Sequence, residues 1–91
     1  MVVAKRFIIR GRVQGVGYRY FAITAGQSCR VTGTVRNLPD GSVEVVAEGT
    51  ASALAGFRIQ LQRGPSFSRV TFIDEMELEP TGRYLGFNIV Y

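Results

Sequence analysis

From Ala4 to Val13 the side chains alternate. Phe7, Ile9 and Val13 share one parity, and Arg6, Ile8, Arg10 and Arg12 share the other. A period of two places one face of a strand in a core and the other largely in water, so this run predicts a first strand. The period then lengthens. Tyr18, Phe21, Ala22, Ala25 and Cys29 fall at helical spacing and predict a helix from about Tyr20 to Cys29. Thr24, Gly26 and Ser28 lower its intrinsic propensity, Gly26 by about 1 kcal/mol relative to alanine. The helix must therefore lean on burial of Phe21 and its neighbours.

Further along, Gly33 to Leu38 reads as a second strand and Ser42 to Glu48 as a third, with Val43, Val45 and Ala47 facing one way and Glu44 and Glu48 the other. Pro39-Asp40-Gly41 between them is a strong turn signal, because proline presets one dihedral and glycine accepts a positive one. The two strands make a hairpin. Thr50 or Ser52 can cap a second helix reaching about Arg63, with Leu54, Phe57 and Leu61 as its apolar stripe and Gly64-Pro65 as its stop. Val70 to Glu79 predicts a fourth strand with Val70, Phe72, Met76 and Leu78 on one face. A short last strand follows, in which Phe87, Ile89 and Tyr91 alternate with Asn88 and Val90.

The order β-α-β-β-α-β plus a terminal strand is the split βαβ arrangement. It predicts an α+β, ferredoxin-like sandwich with two helices on one face of an antiparallel or mixed sheet. The arginines of the first strand and the glutamates of the third and fourth suit the open, wet face. The Glu75, Glu77, Glu79 series reads as exposed strand rather than a metal site. Cys29 reads as core.

Size and composition narrow this picture. A chain of 91 residues is expected to form one domain spanning 1–91. A single cysteine cannot form an internal disulfide, and with no histidine there is no zinc-type cluster. No stretch has the length or apolarity of a signal peptide or a membrane span, so a cytoplasmic protein with no membrane partner is expected. Charge is unevenly spread. Seven basic residues (Lys5, Arg6, Arg10, Arg12, Arg19, Arg30, Arg36) precede Asp40, with no acidic one among them, whereas four basic and seven acidic residues lie from Asp40 onward. A basic field over the first part draws anionic ligands. Most of these arginines, taken singly, read as a solvated strand face.

The stretch Gly11-Arg12-Val13-Gln14-Gly15-Val16-Gly17-Tyr18-Arg19-Tyr20 lies inside that basic part, between a strand and a helix. Tight turns at glycine aim several N–H groups at one spot, and such a concavity binds anions. The start of a helix adds partial positive charge. Arg19 adds a planar fork that fits phosphate or carboxylate oxygens. Spacing excludes two nucleotide motifs: Gly17 is not followed by Lys-Ser/Thr, and the third glycine of a dinucleotide fingerprint is replaced by Tyr20. The third strand has no aromatic pair, which speaks against stacking of RNA bases on the sheet.

Val13-Gln14-Gly15-Val16-Gly17-Tyr18-Arg19, followed 18 residues after the arginine by Asn37 in Gly33-Thr34-Val35-Arg36-Asn37, resembles the acylphosphatase family. The resemblance runs on through Asp40-Gly41-Ser42-Val43-Glu44-Val45, Glu48-Gly49, Gly64-Pro65 and Gly86-Phe87-Asn88-Ile89-Val90-Tyr91, covering essentially the whole chain. It implies hydrolysis of acyl phosphates to a carboxylate and inorganic phosphate, without a cofactor or metal. It implies a phosphate cradle of backbone amides from Gln14, Gly15, Val16, Gly17, Tyr18 and Arg19. Arg19 would bind the phosphoryl oxygens and Asn37 would orient the attacking water. The family's proposed route passes the water's proton to the substrate's own phosphate.

The chemistry agrees with the residue set. A carboxylate leaving group, with a conjugate acid near pKa ~4–5, departs at neutral pH without a proton. Phosphoryl transfer depends mainly on positioning and electrostatics. The expected partners are a small acyl phosphate and inorganic phosphate, with the chain a monomer. Two other readings stay open at this point. One is a non-catalytic anion-binding module of the kind found at the front of carbamoyl-transferring maturation proteins, against which the short chain argues. The other is nucleic-acid binding through the basic first part. Two positions depart from the family pattern: Arg30 stands where glycine is usual after the first helix, and Thr34 where a large aromatic is common. A left-handed backbone at Arg30 would cost about 1 kcal/mol.

Overall fold

The computed structural model describes all 91 residues, Met1–Tyr91. In chain order the elements are β1 (Val2–Arg12), α1 (Tyr18–Ser28), β2 (Thr32–Asn37), β3 (Val43–Thr50), α2 (Ala51–Arg63), β4 (Arg69–Leu78) and β5 (Phe87–Ile89). The strands form one sheet in the order β4-β1-β3-β2-β5. All neighbours pair antiparallel except β5, which runs parallel to β2. This is the expected ferredoxin-like α+β fold.

The alternation in β1 and β3 sets the core. Phe7 and Ile9, with Val43, Val45 and Ala47, are fully buried and meet Val35 of β2. Tyr18, Ala22 and Ala25 from α1 and Leu54, Phe57 and Leu61 from α2 close over them. The Phe57 ring meets Phe7 and Phe87 edge-on, with centroids 6.3 and 5.4 Å apart. Thr50, rather than Ser52, caps α2: its Oγ1 accepts the Ala53 N–H at 3.0 Å, an arrangement worth about 1 kcal/mol.

Helix α1 differs from expectation at both ends. It starts at Tyr18 because Gly17, at φ 79°, turns the chain and its carbonyl accepts the Phe21 N–H at 3.1 Å. It ends with Arg30 in the left-handed region at φ 60°. Arg30 N–H donates to Gln27 O at 3.2 Å and Val31 N–H to Gly26 O at 2.9 Å. These are the two bonds of a Schellman termination, which usually employs glycine at the position Arg30 occupies. Gly26, unfavourable for the helix in isolation, is explained by packing: a Cβ there would lie 2.5 Å from the Phe87 ring. The helix gives up propensity so that β5 can close on it.

Strand β4 corrects the face read from sequence. Phe72, Met76 and Leu78 are 57%, 54% and 37% exposed, and the core residue is Ile73. The cause is a bulge. Arg10 pairs with Phe72 but Gly11 pairs with Val70, so Thr71 has no partner and the parity switches there. Val70 and Ile73, three apart, therefore both serve the core side. Glu75 consequently lies on the helix side, bridging Lys5 and Arg58 at 2.6 and 2.8 Å. From β4 it is Asp74 that joins the open face, against Arg10 at 2.9 Å. Strand β5 is also shorter than expected: it stops at Ile89, and Tyr91 is exposed beyond it.

Candidate active site

The chain between β1 and α1 carries the site. Gly15 and Gly17 have φ of 73° and 79°, while Gln14, Val16 and Tyr18 stay at negative φ. Alternating handedness turns successive amides toward a common concavity. Gln14 to Tyr20 donate no backbone hydrogen bond within the chain; the first N–H bond of this segment is that of Phe21. Tyr18, Arg19 and Tyr20 are the first turn of α1, where amides are free by geometry and the helix dipole is positive. The first turn of α1 holds no acidic residue to compensate it.

Beside this loop lies a cavity of about 190 Å³ lined by Val13, Gly15, Gly17, Tyr18, Arg19, Tyr20 and Asn37. Asn37 reaches it because it shares the helix-side parity of Val35 and sits at the end of β2, paired with Val43. Arg19 and Asn37, 18 residues apart in sequence, thus share one cavity despite the departures at Arg30 and Thr34. The Asn37 Oδ1 is buried and has no hydrogen-bond partner. A buried acceptor in that condition costs about 1–3 kcal/mol, and a donor seated beside it would recover this.

The charges around the site are sorted. Arg6 and Arg36 both bond Glu44, at 2.6 and 2.7 Å, and Arg10 bonds Asp74 and Asp40. Partial burial pushes the Glu44 carboxyl upward, but the hydrogen bonds and charges of Arg6 and Arg36 outweigh it and hold it below the ordinary carboxylate range. Arg19 makes no ion pair. Its guanidinium lies 5.7 Å from the centre of the Tyr91 ring, a cation–π distance. The ring, not an ion pair with the terminal carboxylate, is what meets Arg19.

Two loop residues have side chains outside the cavity. Gln14 turns to the β2–β3 hairpin, and its Nε2 donates to Leu38 O and Ser42 O, both at 2.8 Å. Val16 packs on the core. Tyr18 is nearly fully buried and its hydroxyl donates to Leu61 O at 2.6 Å, which locks the start of α1 to α2. Burial holds the Tyr18 phenol far above the ordinary tyrosine range, so it stays neutral. Sequence reasoning missed Tyr20 as a neighbour of the site and raised Tyr91 only through its terminal carboxylate, not its ring. Tyr20 was legible, since it follows the loop arginine on the helix's exposed side; the ring contact of Tyr91 gave no local signal.

Comparison with known proteins shows the family of the chain. The family model described as "Acylphosphatase" matches residues 5–89. The chain is 44% identical over 90 residues to an acylphosphatase of Petrotoga mobilis, covering 99% of this chain and 100% of that one. It superposes on the crystal structure of acylphosphatase from Bacillus subtilis with a TM-score of 0.93 at 41% identity, covering 100% of both chains. It also matches full-length HypF in its phosphate- and nucleotide-bound form, at 28% identity and a TM-score of 0.87, where it covers 12% of that much longer chain. The loop, the arginine and the asparagine thus stand in a fold shared end to end with the Bacillus subtilis acylphosphatase, and the chain belongs to the acylphosphatase family.

Proposed function

We propose that the amides of Gln14, Gly15, Val16, Gly17, Tyr18 and Arg19, the Arg19 guanidinium and Asn37 together hydrolyse the carboxyl–phosphate bond of an acyl phosphate. The free amides and Arg19 bind the phosphoryl oxygens. Asn37, on the opposing strand, holds a water through its unpartnered Oδ1. The water oxygen attacks phosphorus and the P–O bond to the acyl oxygen breaks. The bonding electron pair leaves on the carboxylate, and the water's proton passes to a phosphate oxygen. The products are a carboxylate and inorganic phosphate. Arg19 stabilises the charge that develops on the equatorial and leaving oxygens. The cavity lining holds no histidine, cysteine or carboxylate, which fits a leaving group that departs unprotonated.

The observation that carries this reading is the meeting of Arg19, free of any carboxylate, with Asn37 and a run of unpaired amides at one cavity. All these groups come from one chain, so a single copy suffices and we assign a monomer. We place it in the cytoplasm, where its lone cysteine stays a thiol. The test is hydrolysis of benzoyl phosphate without added metal, with inorganic phosphate as competitor. Arg19→Ala should lower kcat/KM about 10³-fold or more and weaken phosphate inhibition. Asn37→Ala should lower kcat about 10²-fold while phosphate inhibition persists, because only the attacking water is misplaced. Full activity in either variant overturns its assigned role.

A further inference from the structure

The Gln14 side chain is the part of the loop that this chemistry leaves unused. The ladder between β1 and β3 ends at Ile9 and Val43, and Val43 also faces Asn37, the last residue of β2. Past that register no backbone ladder joins the loop to the hairpin turn. Tyr18 ties the other end of the loop to α2, not to the hairpin. Across the gap stand two side-chain links. One is Arg10 to Asp40, long at 3.4 Å and exposed. The other is Gln14.

The Gln14 Nε2 lies 2.8 Å from both Leu38 O and Ser42 O. Those carbonyls belong to a turn already closed on itself. Leu38 N–H donates to Ser42 O, Gly41 N–H donates to Leu38 O, and the Asp40 carboxylate accepts the Ser42 N–H and hydroxyl. A primary amide nitrogen carries two hydrogens in a fixed plane, and here both are spent on one rigid turn. The residue that opens the loop is therefore fastened to the residue that follows Asn37.

We infer that Gln14 is a positioning residue: its side chain sets the separation between the loop amides and Asn37, and so between the bound phosphoryl group and the attacking water. This rests on the reading of Arg19 and Asn37 given above. Phosphate binding itself uses the loop's backbone, which Gln14→Met retains. Near-attack geometry does not survive a shift of the two halves, since about 1 Å of misplacement can cost 10²-fold in rate.

The experiment is a double-mutant cycle on the full chain with Gln14→Met and Asn37→Ala, reading kcat and KM for benzoyl phosphate, inhibition by inorganic phosphate, and thermal unfolding. Gln14→Met should lower kcat about tenfold or more, with phosphate inhibition changed less than about threefold. In the Asn37→Ala background it should lower kcat no further, because coupled residues are non-additive. Gln14→Asn, which keeps both donors on a shorter stem, serves as a second variant should Gln14→Met fold poorly, with the same outcomes expected. An unchanged kcat, an equal loss in both backgrounds, or a loss confined to phosphate affinity overturns the inference. An Asn37→Ala enzyme of full activity instead overturns the underlying reading, whatever Gln14 does.

Discussion

Arg36 and Arg19 sit on neighbouring elements and are used in opposite ways. On the open face of the sheet, Arg36 and Arg6 converge on one carboxylate, Glu44, whose side chain is only 10% exposed. Both arginines there have a counter-charge, and the cluster spans three strands. At the loop, Arg19 has the Tyr91 ring beside it and no carboxylate, and the amides around it have no acceptor. The first region is electrostatically closed and the second is left positive. The number of arginines along a chain therefore says little; what counts is which of them the fold leaves uncompensated. A closed cluster spends its field on stability, and an open one keeps it for a ligand.

The contrast can be broken most severely at the open end. Arg19→Lys keeps the positive charge but loses the planar fork. If Arg19 acts by bidentate contact to the phosphoryl group, kcat/KM falls by about 10²-fold, with the unfolding midpoint unchanged. Activity near that of the native protein would reduce Arg19 to a simple source of charge. Steady-state kinetics alongside thermal melting separates the two.

The closed end should answer in stability instead. Glu44→Gln removes the shared counter-charge and should cost about 1–2 kcal/mol in chemical denaturation, between the values for exposed and buried pairs, with hydrolysis unchanged. The pH dependence has a definite sign. The Glu44 carboxyl titrates lower in the folded than in the unfolded chain, so its contribution is fully present above the unfolded value of about 4.3 and is lost as pH falls through the folded value. Glu75 acts in the same direction, held down by hydrogen bonds from Lys5 and, against some burial, from Arg58. Stability of the native chain should therefore drop steeply below about pH 4, and Glu44→Gln should flatten that drop. A variant with the same acid profile as the native chain would remove Glu44 from the account.

The smallest expected effect lies between the two regions, at the connection from α1 to β2. Arg30→Gly relieves a left-handed backbone at the helix end and should raise stability by up to about 1 kcal/mol, less the entropy glycine loses on folding. Because the Schellman bonds already hold this turn, Asn37 should stay in place and kcat should not move. A change in kcat would show that the strain at Arg30 is transmitted to the site.

Much of this was legible in the chain because the signals are local. The alternation of Phe7 and Ile9, the Pro39-Asp40-Gly41 turn and the Leu54-Phe57-Leu61 stripe each specify their element within a few residues. The joint spacing of the loop arginine and Asn37 marked the candidate site, two residues that line one cavity. What was not legible depends on partners far along the chain. The Thr71 bulge arises from backbone pairing with Arg10 and Gly11, so the face of β4 could not be read by counting along it. The use of Gly26 becomes clear only when Phe87 arrives over it. The Gln14 bonds to the hairpin join residues more than twenty positions apart, with no motif to announce them.

The place of β1 in the sheet has a kinetic consequence. It is the first strand in the chain and an inner one in space, with β3 on one side and β4 on the other, and Ala4 pairs with Leu78. No hairpin can complete it. Its second edge stays open until nearly the whole chain has been threaded back, so loop closure over long separations, rather than helix formation, should pace folding. Until β4 docks, a strand carrying Phe7, Ile8 and Ile9 has an unpaired edge that another copy could satisfy. The carboxylates of β4 that meet Lys5 and Arg10 complement the basic charge of that edge once β4 is in place.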